Sequence, residues 1–132
     1  RKRSNAMFTE ADLNQFSGTE TYWKHWMGIV YTDGVQFLSQ NGAGWLVDLV
    51  ASHQLNPKLR TGDLNDFQLW ELTVNDDNTA VATCRGDSDT PVVVEQKIEF
   101  SDFPLKNIKL YLERGSIDGT NSVKILMLPS ER

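Results

Sequence analysis

The sequence predicts an α+β fold in two layers, with short N-terminal helices packed on one face of a four- to five-stranded antiparallel meander sheet. Three observations carry this prediction. Helix-start signals and apolar residues at helical spacing fill the first half of the chain. After a polar stretch at residues 58–66 the apolar period changes from 3.6 toward 2. Clusters of Asp, Asn, Gly and Ser then punctuate the second half at strand-length intervals.

The first helix starts in "FTEADLNQF". Thr9 suits an N-cap, Asp12 stands three residues on, and Phe8 can staple onto Leu13; Ser17-Gly18 ends it. The aromatic stretch "TETYWKHWMGIVYTDG" follows. At helical spacing Trp23, Trp26, Met27 and Val30 form a stripe; at strand spacing Trp23, His25, Met27, Ile29 and Tyr31 alternate with Tyr22, Lys24, Trp26 and Val30. Both patterns are apolar, so periodicity does not choose between them. Asp33 reads as the cap of a second helix with Gln36 at capping-box spacing, and Asn41-Gly42 as its left-handed stop. In the third helix Leu46, Leu49, Val50 and His53 share one face, and Pro57 lies past its end.

In "FQLWELTVN" Trp70, Leu72 and Val74 share one strand face, and "AVATC" runs back from the turn "NDDNT". In "VVVEQKIEF" Val92, Val94, Ile98 and Phe100 are expected to point one way, with Glu95, Lys97 and Glu99 opposite. In "IKLYLE" Ile108, Leu110 and Leu112 oppose Lys109, Tyr111 and Glu113, and "VKILML" closes the sheet before Pro129. Such alternation describes strands with one buried and one wet face, and the buried face requires the helices as a second layer.

Ser4-Asn5-Ala6 before Met7 has the form of a cleavage scar, so residues 1–6 read as an expression-tag remnant and residues 7–132 as a single α+β domain. The formal charge of −5 includes three positive charges from Arg1, Lys2 and Arg3, which leaves −8 on residues 7–132. The remaining basic residues are scattered, without a run or stripe, so direct nucleic-acid binding is not expected. No apolar stretch is long enough for a membrane span. The single cysteine, Cys84, fits a reducing, cytoplasmic setting and reads as a small strand residue in the core.

No Walker loop, paired CxxC, HExxH or GxSxG occurs, and no cofactor is expected. Arg85-Gly86-Asp87 and the Asp76-Asp77 and Asp87/Asp89 clusters read as solvated turns. The favoured function is therefore a non-enzymatic binding or accessory protein. Its contact surface would comprise Tyr22, Trp23, His25, Trp26, Tyr31 and Trp45, facing a partner protein or a second copy of the chain. One alternative is a small enzyme or metal-binding protein built on His25 and His53 with Asp33 or Asp48. Asp48 lies about 140° around the helix from His53, so those two cannot chelate one ion unaided. The other alternative is an acidic mimic of nucleic acid that inhibits a DNA-binding protein.

At "YTDGVQFL…GWLVDLVASHQ", with "DFPL" at 102–105 and "LPSE" at 128–131, the chain resembles a family of small uncharacterised bacterial proteins carried by mobile-element and phage genomes. The likeness runs from Phe8 to Glu131. It implies one small intracellular domain of unknown function and carries over no catalytic residues.

Overall fold

A computed structural model describes residues 8–132; the tag reading of residues 1–6 lies outside it. Helix α1, Glu10–Asn14, begins at the expected N-cap, Thr9, which forms a reciprocal capping box with Asp12: Asp12 N–H donates to Thr9 Oγ1 at 3.2 Å and Thr9 N–H to Asp12 Oδ2 at 2.8 Å. Phe8 and Leu13 are both buried. Two very short strands follow, β1 (Trp23–Lys24) and β2 (Val30–Tyr31), then helices α2 (Asp33–Leu38) and α3 (Gly44–His53). A wide turn over Ser39–Ala43 joins the two helices and kinks at Asn41-Gly42, where Gly42 takes φ 97° as the expected stop. Strands β3 (Phe67–Val74), β4 (Ala80–Arg85), β5 (Val92–Ile98), β6 (Asn107–Gly115) and β7 (Val123–Met127) complete the chain.

The α+β class holds, but the sheet is larger than expected and is not a simple meander. Seven strands run in the order β1-β2-β7-β6-β3-β4-β5. All neighbours are antiparallel except β2 and β7, which pair in parallel through Val30 with Ile125 and Tyr31 with Leu126. Of the three helices, α3 alone is long, at ten residues. Two-residue strands are too short to show any period, and a parallel pairing between the two ends of a chain leaves no local signature.

The inner face carries Trp70 and Leu72 of β3, Ile108, Leu110 and Leu112 of β6, and Leu126 of β7, all buried. Strand β4 offers the small side chains Ala80, Ala82 and Cys84, with Ala82 opposite Leu72 and Cys84 opposite Trp70. Alternating small and large partners lets the helical layer pack closely there. Phe8, Phe37, Phe103 and Phe16 form an aromatic cluster in the same core, with adjoining ring centroids 5.4–5.9 Å apart. The expectation for β5 needs correction. Val94 and Ile98 face the core as expected, but a register shift at Cys84/Arg85 pairs Arg85 with Val92, which is exposed, while Val93 packs against the core. Phe100, beyond the end of β5, is 68% exposed.

The outer face is also less wet than alternation suggested. Val30, Ile125 and Met127 form a second buried cluster against Tyr111, Ile117 and Val123. The Arg132 guanidinium lies 4.8 Å from the Phe67 ring centre and 5.3 Å from that of Tyr111.

Two polar clusters tie the layers together. Gln68 is fully buried on the inner face beside Trp70. Its amide exchanges two hydrogen bonds with Gln54 at 2.8 and 2.9 Å, donates to Leu64 O and accepts from Trp70 Nε1. A buried amide satisfied in this way fixes the end of α3 against β3. The second cluster centres on Glu131. Its carboxylate accepts from Thr32 Oγ1, from Leu128 N–H at 3.0 Å and from Gly34 N–H at 2.9 Å. Residues 128–131 thereby close the start of α2, and a side chain at position 34 would have no room: a Cβ there would sit 2.6 Å from both Glu131 Oε1 and Leu128 Cδ1.

This clamp makes Glu131→Ala destabilising. Removing an acceptor shared by three donors, two of them backbone N–H groups, is expected to cost about 2 kcal/mol. Urea denaturation monitored by circular dichroism measures it, and Lys97→Ala on exposed β5 is the neutral comparison.

Candidate functional site

The aromatic segment is a hairpin. Trp23 pairs with Tyr31 and Lys24 with Val30, and the turn closes through His25 N–H to Ile29 O at 2.8 Å and Gly28 N–H to His25 O at 3.0 Å. Val30 joins the outer cluster, whereas Tyr31, on the opposite side, packs against the main core. The strand reading of this stretch is therefore the one realised.

Two carboxylates hold the hairpin from the helical layer. Asp48 of α3 lies 2.6 Å from His25 Nε2. His25 Nδ1 accepts the Met27 N–H at 3.0 Å, so the neutral ring carries its hydrogen on Nε2 and donates it to Asp48. The imidazole is 6% exposed and the Asp48 side chain 60%. The second carboxylate is Asp33. Its oxygens accept from Glu20 N–H at 3.0 Å and from Trp23 Nε1 at 3.1 Å. Its own N–H donates to Thr19 Oγ1 at 2.9 Å. The Glu20 N–H, then the Trp23 indole, hold the Asp33 carboxyl below its ordinary value of 3.8. The expected capping role of Asp33 needs correction: Thr32 occupies the N-cap, Asp33 is the first helical residue, and its carboxylate turns outward to the hairpin.

This latch leaves the tip of the hairpin outside. The Trp26 ring stacks on His25 with centroids 5.6 Å apart and planes 24° from parallel, and Trp26 is 82% exposed. Tyr31 meets the other side of the arrangement edge-on, 6.5 Å from the imidazole. Tyr22 and Trp23 are 42% and 38% exposed. Trp45 is half-buried on α3, one turn before Asp48, and packs against the core. Of the six expected surface residues, five thus belong to the hairpin and its immediate approach, and Trp45 to the helix beneath.

His25 and His53 are not brought together. His53 Nε2 lies 2.6 Å from Gln96 Oε1 of β5, and its ring leans on Trp70. Strand β5 is one edge of the sheet and the His25 hairpin the other. Among the described residues, no three His, Cys, Asp or Glu side chains are grouped to hold a metal ion. Cys84 is fully buried, and burial pushes its thiol up to about 12, far from a reactive thiolate. Asp76-Asp77 and Asp87-Asp89 sit in turns at opposite ends of β4, and Asp87 orders its turn through Ser88 N–H and Thr90 Oγ1.

Sequence reasoning missed one feature near this site. The basic residues that look scattered converge in part: Arg60, Arg114 and Lys124 line one cleft of about 470 Å³, walled on one side by Met27 and Gly28 of the hairpin turn. Their separation along the chain hides this from any local pattern.

The Asp33–Trp23 bond sets a pH dependence. A depressed folded value means that the bond's contribution is complete above 3.8 and is lost as pH falls through the lowered value. The Trp23 indole N–H resonance should stay constant down to that pH, then move with a midpoint below it. Asp33→Asn should abolish the movement. NMR titration of the indole region checks both.

Among the described residues, no helix is long and apolar enough to cross a membrane. No curated protein and no solved structure matches the chain. A family model does match, over residues 7–132. It agrees with the domain of unknown function that the resemblance implied, and the chain belongs to DUF6876, a family of unknown function.

Proposed function

We propose that the protein is a non-enzymatic binding or accessory protein, cytoplasmic in setting, that engages a protein partner through the β1–β2 hairpin. The observation that carries this reading is Trp26, 82% exposed yet stacked on a ring that is itself fixed. An indole left in water at the tip of an ordered hairpin has little conformational entropy to lose when it is buried. Such rigid aromatic anchors dominate the energetics of protein interfaces. Tyr22 and Trp23 extend the apolar surface on the same element.

The positions of the His25 nitrogens support binding over acid–base chemistry. Both are engaged, one by Met27 N–H and one by Asp48, so the ring serves as a latch and offers no free lone pair to a substrate. The occupant we infer is a protein carrying an apolar pocket that admits an indole.

Retention of partners from source cells on immobilised wild-type protein, Trp26→Ala and Phe100→Ala tests this. Phe100, 68% exposed beyond the end of the edge strand β5, is a second exposed aromatic and controls for general stickiness. A specific partner should be kept by wild type and Phe100→Ala and, once purified, should bind Trp26→Ala about thirtyfold more weakly, the effect of losing an anchor of about 2 kcal/mol. Unchanged affinity for Trp26→Ala would remove the hairpin as the contact surface. Sedimentation equilibrium of the protein alone reports whether the partner is a second copy.

A further inference from the structure

The protein is acidic overall, yet Arg60, Arg114 and Lys124 face one cleft. Two of these cations are held in place by neutral groups. Lys124 Nζ donates to Gln54 Oε1 at 2.9 Å and to Leu59 O at 3.0 Å, which leaves one of its three protons uncommitted. Arg114 donates from Nε and Nη2 to Asn65 and from Nη1 to Ser122 Oγ, which leaves two of its five. The Arg60 side chain makes no hydrogen bond or ion pair among the described residues. The carboxylate that pairs into the group is Asp66, 3.7 Å from Arg114 Nε. Three cations against one carboxylate leave two positive charges unmatched.

The surroundings also act on Lys124. Burial, then the neighbouring Arg114 and Arg60 charges, lower its pKa. Folding has gathered like charges, two of them on fixed supports, and left donors on each uncommitted, which is the form of an anion site. The lining also includes the apolar side chains of Met27, Leu55 and Val123. A cleft of about 470 Å³ is of small-molecule size.

We propose that this cleft binds a small-molecule phosphate monoester, with its phosphate among Arg60, Arg114 and Lys124 and its organic part against Met27, Leu55 and Val123. A phosphate monoester near neutral pH carries close to two negative charges and three acceptor oxygens, matching the two unmatched positive charges and the free donors. A carboxylate carries one charge and leaves the other cation unpaired. The proposal stands on the cleft alone and does not depend on what docks at Trp26.

NMR titration of isotope-labelled protein tests it, with phenyl phosphate, inorganic phosphate and benzoate as probes. Phenyl phosphate should shift the amides of Arg60, Val123 and Lys124 saturably, and bind more tightly than inorganic phosphate, which lacks the ring, and than benzoate, which lacks the second charge. Arg60→Gln removes an exposed cation that supports no other contact and should weaken phenyl phosphate about tenfold, while Lys97→Gln on β5 leaves the affinity unchanged. No saturable shift in the cleft, equal affinity for benzoate, or unchanged affinity in Arg60→Gln would each overturn the proposal.

Discussion

The arrangement depends on two carboxylates that reach from the helical layer to a hairpin too short to hold itself. Strands β1 and β2 contain two residues each, and the hairpin meets the rest of the sheet through two parallel pairs with β7. A ladder of that length is marginal in water. Asp33 supplies acceptors for the Glu20 N–H and the Trp23 indole, and Asp48 accepts from His25. These bonds convert a loop into an element with a defined face. The exposed Trp26 ring stacks on the fixed His25, Tyr31 packs against the core, and Trp23 opposite it is tied to Asp33.

Those carboxylates are themselves positioned by the rest of the fold. Asp33 stands at the start of α2, and that start is closed by Glu131 from the far end of the chain. Asp48 stands on α3, whose end is fixed by the Gln54–Gln68 amide pair against β3. Lys124 donates to the same Gln54, so the network that anchors α3 also sets one cation of the basic cleft. The hairpin turn walls that cleft through Met27 and Gly28. The two surfaces proposed for binding thus share supports and lie side by side, one offering an apolar ring and the other positive charge.

Local features of this fold were legible in the sequence, and nonlocal ones were not. The N-cap at Thr9, the apolar face of α3 and the alternation of Ile108, Leu110 and Leu112 each depend on residues a few positions apart, and each appears as expected. The hairpin was ambiguous because Trp and Met occupy both candidate faces: one side serves the core and the other the outer cluster or solvent. Val92 was misplaced because the register shift at Cys84/Arg85 takes it out of phase with Val94 and lets Val93 pack against the core, and three consecutive valines hide such a bulge. The exposed ring of Trp26 lies in the aromatic stretch the sequence singles out, but the roles of Asp33 and Asp48 as supports of the hairpin required the fold. The Glu131 clamp and the convergence of Arg60, Arg114 and Lys124 arise only when strands distant in sequence become neighbours.

Amide hydrogen exchange in an Asp33→Ala, Asp48→Ala double variant tests the central claim most directly. If these carboxylates order the hairpin, protection should fall at the His25 and Gly28 amides, both bonded within the turn, while amides in β3 and β6 keep their wild-type protection. Undiminished protection at His25 and Gly28 would show that the hairpin is ordered without them and would contradict the account.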